Sequence, residues 1–557
     1  MTFFTDGLRR LALMDDDLVE PEPGSDSNSA AARWRMLLLI LAAGFAVALR
    51  LRMLLIGRSL WLDESALALN ICARSFGQLL EPLAYDQAAP IGFLLIERAS
   101  VVAFGPNEVA LRLFPFLASL ATLVLIHRFC ARNIGPWAAV VAVALAGVMP
   151  ALVYYSGELK QYSSDVAFGL LILYLTSNVL RAGLTAGRAL ALGLAGLAAV
   201  WCSHPSVFVL AAAGTILILH EAAHKRFHRA ALAAAVSACW LASFGLEYVY
   251  FLKDLQANPF LAAYWESAIL KFPPTSPRDL RVYMAVGMGV FESLFLNEQA
   301  DVDLSMRMGV FTAAAWMIGL VALGQSGRRR MRILLVGPLL FGVVGCLMHA
   351  YPLKGRLALF TAAATLPVVA AGIAGLATSR NRANRAIGAV LGFWSLLLPA
   401  TQAAQFLVEH PRLHDARSVL GQVARAWRPG DVVVVDRYSA LPFQYYQSFG
   451  GVKGLERVAI TRSERVLCEP QDLAAEITRW RGRSRVWFLL DTALPDPVNL
   501  SRGALKVILD QAGEPLDSAS CRRYSAHLYR LRGDDAGQAV ERIGSEGSGS
   551  IAGVRIP

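Results

Sequence analysis

The chain has 557 residues, of which 55% are hydrophobic and 17% are charged, and its formal net charge is +11. This low charge content, with a mean hydropathy of +0.46, excludes a soluble protein of this size and predicts an integral membrane protein. The basic residues stand in short clusters between apolar stretches, a pattern typical of cytoplasmic loops, so nucleic acid is not expected as a partner. The seven cysteines show no paired metal-ligand spacing, and no metal site is predicted.

The beginning of the chain is polar and lacks the order of a cleavable signal peptide. Asp15, Asp16 and Asp17 are followed by a run rich in Pro and Ser before the first apolar stretch. Residues 1–35 are therefore predicted to form a disordered cytoplasmic leader. Residues 533–557, rich in Gly, Ser and charge, are predicted to form a similarly flexible tail.

Between these ends, residues 36–407 contain apolar stretches that are each about long enough to cross a bilayer as a helix. The eleven predicted spans are residues 36–56, 110–127, 136–155, 165–181, 187–202, 204–221, 229–250, 307–324, 333–350, 357–377 and 387–407. Together they predict a polytopic α-helical membrane domain.

The basic clusters orient these spans. They are Arg128 with Arg132, and residues 225–229, 328–332 and 380–385. Placing all of them in the cytoplasm makes the eleven spans alternate without conflict. The regions predicted to lie outside are residues 57–109, 156–164, 251–306 and 351–356, together with everything after residue 407.

One apolar segment, residues 90–105, does not fit this count. It is only about sixteen residues long and contains Glu97 and Arg98, so it is short for a crossing. Counting it as a span would invert the orientation of all later spans and place the basic clusters outside the cytoplasm. It is therefore predicted to lie at the membrane interface.

Residues 408–532 have the alternating pattern of a small α/β domain. Helices are predicted at residues 414–427, 473–480 and 504–512, and strands at residues 432–435, 486–490 and 526–531. Because no Gly-rich phosphate-binding fingerprint accompanies them, the domain is predicted to cover a membrane site rather than to bind a nucleotide. Its two cysteines, Cys468 and Cys521, would lie in an oxidising compartment, and the sequence leaves their pairing open.

The first candidate site follows the first span, where Asp63 and Glu64 stand next to each other after Trp61. Adjacent carboxylates close to the bilayer surface are candidates for acid–base chemistry. The alternative is an exposed helix cap with an interfacial tryptophan.

The second candidate site is a polar and aromatic outer turn that contains Glu158, Lys160, Tyr162 and Asp165. Ionisable residues at membrane depth are costly and are therefore functional candidates. The alternative is that Lys160 snorkels and Tyr162 is an interfacial anchor.

The third candidate site, with Tyr351, Lys354 and Arg356, is cationic on the side where the charge rule disfavours cations. These cations are suited to neutralising a lipid phosphate, or alternatively to pairing with acidic loops. His204, at an outer helix end, either contacts a substrate or has a structural role.

At these residues the chain resembles the GT-C superfamily, in particular the bacterial family of protein O-mannosyltransferases, the lipid A aminoarabinose transferase and the lipopolysaccharide-core galacturonosyltransferases. The resemblance covers about residues 36–530. It is carried by residues 61–64, 85–90, 105–115, 156–162 and 351–356. The chain departs from the pattern at Gln87, where similar proteins often have a His or basic residue, and at Lys160, where Arg is common.

The resemblance implies a GT-C type membrane domain with about eleven transmembrane helices and a small C-terminal α/β domain outside the membrane. It also implies transfer of a sugar from a polyprenyl-phosphate donor to a glycolipid, polysaccharide or protein hydroxyl. The implied place is the bacterial inner membrane, among membrane lipids, with the active site on the periplasmic or extracellular face. No cofactor is certain, and the need for a divalent cation stays open.

The residues that the resemblance implies fall into two groups. The catalytic candidates are Asp63, Glu64 and Glu158. The substrate-binding candidates are Lys160, Tyr162, Asp165, His204, Tyr351, Lys354, Arg356 and Arg112. In the implied reaction Asp63 takes the acceptor proton while Lys160, Lys354 and Arg356 stabilise the departing phosphate.

Two other classes of protein stay open. A transporter or lipid flippase would also be polytopic with a few buried charges, but the polar residues here collect on one face, and there is no internal repeat in the sequence. A non-catalytic assembly protein would retain the fold without the charged residues, and the presence of Asp63, Lys160 and Arg356 argues against it.

Overall fold

The computed structural model describes residues 30–253, 259–295, 302–408, 415–463, 467, 470–491, 502–521 and 524–533. Residues 1–29 of the predicted leader, the tail from residue 534 and Cys468 lie outside these residues, so the expectations for them stay predictions. Residues 30–35, predicted to belong to the disordered leader, instead begin the first helix, which starts with three alanines, the residue most favourable to a helix. The described membrane part is helical. Its helices are α1 Ala30–Leu55, α2 Leu62–Ala73, α3 Ile91–Phe104, α4 Leu113–Asn133, α5 Pro136–Val148, α6 Pro150–Tyr154, α7 Tyr162–Ala182, α8 Ala186–Cys202, α9 Ser206–Ala223, α10 Phe227–Glu247, α11 Pro259–Trp265, α12 Pro277–Glu292, α13 Val302–Gln325, α14 Arg329–Leu347, α15 Ala362–Ala377 and α16 Arg382–Val408.

The predicted spans coincide with these helices. Within the described residues, nine helical segments are long and apolar enough to cross a membrane, and the pair α5 and α6 counts as a tenth if it is read as one bent span. The remaining predicted span, at residues 187–202, is the shorter apolar helix α8. The polytopic helical fold predicted from the sequence is confirmed, and the chain is a multi-pass membrane protein.

The segment at residues 90–105 forms helix α3, whose 14 residues are too few to cross a bilayer. Glu97 on this helix is completely buried, and burial raises its pKa well above the ordinary value. The short length agrees with the predicted interfacial position, which stays a prediction.

Pro150 causes the break between α5 and α6, and Arg50 compensates for the hydrogen bond that is lost there. The two segments meet at an angle of 62°, because Pro150 has no N–H to donate to the carbonyl of Ala146 one turn earlier. The buried guanidinium of Arg50 on α1 replaces the lost donor, with Nη2 2.8 Å from the carbonyl oxygen of Ala146 and Nη1 3.2 Å from that of Gly147. The bend directs the chain into the polar turn before α7.

The C-terminal part is an α/β domain, as predicted. Its helices are α17 Ala416–Ala426, α18 Ala440–Ser448, α19 Pro470–Arg479 and α20 Arg502–Ala512, and its strands are β1 Val432–Val435, β2 Thr461–Arg462, β3 Val486–Asp491, β4 Gly513–Ser520 and β5 Tyr524–Leu531. The sheet order is β2-β1-β3-β5-β4. Strands β1, β2 and β3 pair in parallel, whereas β5 pairs antiparallel with β3 and β4.

Three elements of this domain were not predicted, and the first is the two-residue strand β2. Strand β4 is polar and contains Pro515, features that argue against a central strand, but β4 lies at the sheet edge and pairs only with β5. Helix α18 contains Pro442 in its first turn, a position where proline is compatible with a helix. Local sequence patterns therefore did not indicate β4 or α18.

The C-terminal domain and the membrane domain share a hydrophobic core. One cluster contains Leu67 of α2 and Leu94 of α3 together with Leu420 of α17 and Tyr446 of α18. The Tyr446 hydroxyl accepts a hydrogen bond from the Leu60 backbone N–H at 2.8 Å. The domain is therefore packed directly on the segment that leads into α2.

Glu108, in the connection between α3 and α4, also contacts the C-terminal domain. Its Oε1 accepts a hydrogen bond from the Tyr446 hydroxyl at 2.9 Å and forms an ion pair with Arg417 of α17. The Arg417 backbone N–H also donates to the Ser59 hydroxyl at 3.1 Å. These contacts fix the C-terminal domain at the end of the helices where α2 begins.

The predicted orientation can be tested with an impermeant thiol reagent on intact cells. We expect a Ser326→Cys variant, next to the basic cluster at residues 328–332, to be labelled no more than the unmodified chain until the cells are permeabilised. An Arg437→Cys variant in the exposed surface of the C-terminal domain should react without permeabilisation. The unmodified chain, with its native cysteines, is the control, and labelling of both variants from outside would contradict the orientation.

Candidate active site

The three candidate sites from the sequence converge at one end of the helices. Asp63 on α2 lies with its Oδ2 atom 2.7 Å from Nη2 of Arg356. The same oxygen lies 3.9 Å from Nζ of Lys160. A carboxylate from the first site is thus held between cations from the second and third sites. Lys160 lies 97 positions after Asp63 in the sequence, and Arg356 lies 293 positions after it.

Local structure explains how each of the three side chains reaches this point. Asp63 lies in the first turn of α2, where the helix dipole favours a negative charge. Lys160 follows the bend at Pro150, which turns the chain back before α7 begins. Gly355 has a φ of 54°, a conformation that glycine adopts readily, and it turns the chain so that Arg356 lies in the first turn of the helical segment Gly355–Thr361.

Aromatic rings form the wall around this cluster. The guanidinium carbon of Arg356 lies 5.6 Å from the ring centre of Trp61 and 5.9 Å from that of Tyr162. Both distances are within the range of cation–π attraction. The side chains of Asp63 and Arg356 remain 22% and 24% exposed, so the cluster is open to a ligand.

Gln87 completes the surroundings of Lys160. Its Oε1 accepts a hydrogen bond from Nζ of Lys160 at 2.9 Å. The sequence placed Gln87 at a position where similar proteins carry a basic residue, which made a phosphate contact there doubtful. In the structure Gln87 orients the lysine.

The electrostatics of the cluster favour the charged form of Asp63. Burial raises the pKa of Asp63, but the neighbouring Lys160 and Arg356 outweigh this effect and hold the pKa below its ordinary value. Burial lowers the pKa of Lys160, and the attraction of Asp63 offsets only part of that shift. Asp63 is therefore ionised at neutral pH.

Glu64, although adjacent to Asp63, points into the protein. Its two carboxylate oxygens accept hydrogen bonds from Nε and Nη2 of Arg112 at 2.9 and 2.7 Å, and Oε1 also accepts from the Leu159 backbone N–H at 2.8 Å. Neither side chain of the pair is exposed. Glu64 and Arg112 therefore form a buried ion pair, and the catalytic and substrate-binding roles expected for them from the sequence stay predictions.

Glu158 is also enclosed. Its Oε2 lies 3.8 Å from Nη2 of Arg58, and both side chains are almost completely buried. The Arg58 guanidinium stacks over the Tyr154 ring at 4.4 Å. Solvent does not reach Glu158, and the catalytic role expected for it from the sequence stays a prediction.

Asp165 and His204 belong to a separate, deeper polar group. Asp165 is buried on α7 beside Ser203. Nε2 of His204 lies 3.4 Å from Oε1 of Glu247, a buried residue at the end of α10. The structure therefore pairs His204 with a carboxylate and brings neither His204 nor Asp165 into direct contact with Asp63.

The two remaining candidates from the third site differ in their surroundings. The Tyr351 hydroxyl donates to the Leu357 carbonyl at 3.0 Å, and the ring packs against Phe208 and Phe360, so Tyr351 supports the segment that carries Arg356. Lys354 is exposed, with Nζ 3.4 Å from the hydroxyl of Ser267. Lys354 thus lies outside the Asp63 cluster.

Sequence reasoning missed several residues that hold the site together. Arg58 is a cation on the predicted outer side, the same signal that identified Arg356, and it was open to detection. Arg417 and Tyr446 gave no local signal. Glu108 lies in the stretch 105–115 that carries the resemblance, but its partners were not predicted, because its contacts join segments more than three hundred positions apart. Their importance emerges only from the packing of the C-terminal domain.

Comparisons with known proteins agree with this architecture. The family described as dolichyl-phosphate-mannose-protein mannosyltransferase matches residues 87–272, a range that includes Lys160 but neither Asp63 nor Arg356. Two solved structures of ArnT from Cupriavidus metallidurans, one in the apo state and one bound to undecaprenyl phosphate, each match with 13% identity and a TM-score of 0.50. Each covers 90% of this chain and 98% of the matched chain.

AglB from Archaeoglobus fulgidus, solved in complex with an inhibitory peptide and a dolichol-phosphate, matches with 10% identity and a TM-score of 0.45, covering 89% of this chain and 74% of that chain. No curated protein sequence matches significantly. The likeness to ArnT shows that this chain shares the fold of that protein.

Proposed function

We propose that this chain, which has the GT-C fold, is a glycosyltransferase that moves a sugar from a polyprenyl-phosphate donor to an acceptor hydroxyl at the outer face of the membrane. The observation that carries the proposal is the partly open cluster in which Asp63 lies between Arg356 and Lys160. The match to the mannosyltransferase family and the undecaprenyl phosphate bound by ArnT support this class of donor.

In the proposed reaction the acceptor oxygen attacks the anomeric carbon of the sugar. A new carbon–oxygen bond forms while the bond between that carbon and the phosphate oxygen breaks, and its electron pair stays on the phosphate. Asp63 takes the acceptor proton as general base. Arg356 and Lys160 bind the phosphate and stabilise the negative charge that grows on it.

The two cations also control the basicity of Asp63 in this proposal. Lys160 and Arg356 hold the pKa of Asp63 below its ordinary value, which makes it a weak base. A phosphate that binds Arg356 and Lys160 offsets their positive charge, so the pKa of Asp63 rises toward its ordinary value. The carboxylate thus gains basicity only when the sugar is in place.

The other candidates have supporting roles in this proposal. Tyr162 forms the aromatic wall of the donor site, and Glu64, Arg112 and Glu158 hold the segments that carry the reacting groups. Asp165 and His204 line the deeper polar region, and Tyr351 fixes the turn before Arg356. Lys354, at the exposed rim, is suited to a first contact with the donor phosphate or the acceptor.

The acceptor is a glycolipid, polysaccharide or protein hydroxyl, and the location is the bacterial inner membrane with the site on the periplasmic side. The C-terminal domain supports this assignment, because it packs at the same end as Asp63 and the basic clusters predict that end to be outside.

A direct test incubates the purified full chain with radiolabelled polyprenyl-phosphate sugars and membrane acceptors. Label that moves from the lipid fraction to an acceptor supports the proposal. The rival, a transporter or flippase, predicts instead that proteoliposomes move intact donor across the bilayer without breaking the sugar–phosphate bond. Translocation of intact donor together with no transfer to any acceptor would contradict the proposal.

The role of Arg356 can be separated from that of its exposed neighbour Lys354. We expect Arg356→Ala to weaken donor binding by about tenfold or more and also to slow transfer, because a charge-assisted phosphate contact is lost. The measurement is donor binding to the purified protein alongside the transfer rate. Lys354→Ala is the matched control and should have a much smaller effect, whereas unchanged donor binding in Arg356→Ala would remove Arg356 from this role.

A further inference from the structure

A second polar region lies at the opposite end of the same helices. Helix α7 begins at the candidate active site with Tyr162 and continues for 21 residues to Ala182, a length of about 30 Å. At its far end a cavity of about 260 Å³ lies between α4, α7 and α8, with Arg132 and Arg188 in its lining. The positive-inside rule places this end in the cytoplasm.

The walls of this cavity combine charge with apolar surface. Leu175, Val179 and Ala191 contribute apolar side chains to the lining, together with the two arginines. Leu190 and Leu194 on the adjoining surface of α8 are 63% and 58% exposed, as expected for side chains that face acyl chains. The cavity therefore adjoins the lipid-facing surface.

The arginines around this cavity have no carboxylate partners in the described part of the chain. Two further arginines lie beside the cavity: Arg181 donates to the Arg132 carbonyl, and Arg229 approaches the α7–α8 connection at Gly183. Among the residues that the structure describes, none of these four arginines forms an ion pair with a carboxylate. An anionic ligand would supply the missing charge.

Two features of the lining favour a lipid headgroup over a free anion. Nη1 of Arg188 is 2.9 Å from the Gly183 carbonyl, so the guanidinium is fixed at the mouth of the cavity. The Oδ1 atom of Asn178 is buried and accepts no hydrogen bond within the described part of the chain, and a headgroup hydroxyl is a suitable donor for it. A free phosphate has no apolar part that could contact the leucine, valine and alanine side chains of the lining, whereas a lipid has acyl chains.

From these observations we infer that the cavity binds an anionic glycerophospholipid of the cytoplasmic leaflet. Its phosphate contacts Arg132 and Arg188, a headgroup hydroxyl donates to Asn178, and an acyl chain lies along Leu175 and Val179. Basic recesses between membrane helices at the cytoplasmic side are suited to such headgroups. This site is separate from the proposed donor site and lies at the opposite face of the membrane.

The test uses the purified full chain in a neutral detergent, titrated with phosphatidylglycerol and followed by native mass spectrometry. We expect Arg132→Gln/Arg188→Gln to weaken phosphatidylglycerol binding by about tenfold or more, because two charge-assisted contacts are lost. The matched control is Arg382→Gln/Arg385→Gln, which removes two exposed arginines of another predicted cytoplasmic loop and should leave binding unchanged.

A second variant keeps every arginine. Ala191→Trp is expected to fill the apolar part of the cavity and to weaken phosphatidylglycerol binding. It therefore tests lipid binding in the cavity even if the double arginine variant does not fold. Phosphatidylcholine with the same acyl chains should bind at least about tenfold more weakly, and inorganic phosphate should not compete. Equal binding of phosphatidylcholine, competition by inorganic phosphate, or unchanged binding in Ala191→Trp would each overturn the inference.

Discussion

Replacing Asp63 with asparagine is expected to lower the transfer rate by about 100- to 10,000-fold, the range typical for loss of a general base. The amide retains the shape of the carboxylate and still accepts a hydrogen bond from Arg356. It has no basicity with which to take the acceptor proton. The purified variant should therefore keep the donor affinity of the parent chain, or exceed it, because the phosphate no longer competes with a carboxylate for the cations.

The measurement is a single-turnover transfer assay with donor binding determined in parallel. Glu81→Gln, which neutralises an exposed carboxylate in the same predicted outer region, is the matched control and should transfer at the parent rate. If Asp63→Asn retained more than about a tenth of the parent rate, Asp63 would not be the base. Asp165 and Glu158 would then be the next carboxylates to replace.

The second large effect concerns stability. Arg112→Met removes the partner of Glu64 and leaves a buried carboxylate without compensation, which typically costs about 3–5 kcal/mol. Burial raises the pKa of Glu64, but Arg112 and Arg58 hold it below the ordinary value, and Arg58 alone does not replace the bidentate contact. We expect a clear loss of thermal stability for the protein in detergent, together with loss of transfer.

A double variant separates this structural role from substrate binding. Glu64→Gln/Arg112→Met removes both charges, while the glutamine oxygen still accepts from the Leu159 backbone N–H. Its thermal stability should recover most of what the single variant loses, because replacing a buried ion pair as a whole is often close to neutral. If Arg112→Met instead kept the stability of the parent and lost only donor affinity, Arg112 would be a substrate-binding residue after all.

The residues of the active-site cluster could be predicted from the sequence because hydropathy and charge patterns together assign distant segments to the same side of the membrane. Asp63, Lys160 and Arg356 were each identified as polar exceptions in segments predicted to face the same side, and the structure brings them together. The sequence could not distinguish Asp63 from Glu64. Consecutive residues on a helix are rotated by about 100°, and which of the two faces the site depends on tertiary packing.

The same limit applied to the C-terminal domain. The buried strand β3 was predicted from its continuous apolar pattern. The edge strand β4 was missed because its stability comes from pairing with β5 rather than from its own residues. Tyr446 and Glu108 were missed for a related reason, since each gains its role only from a partner in another domain.

The hydrogen bond between Leu60 and Tyr446 joins residues 386 positions apart, and this separation has a consequence for biosynthesis. The segment before Asp63 emerges with the first span, long before the ribosome has made α18. Its packing stays incomplete until the C-terminal domain has been synthesised and has folded. The folding of that domain thus determines when the proposed catalytic carboxylate acquires its final position, and a chain interrupted before α18 lacks that support.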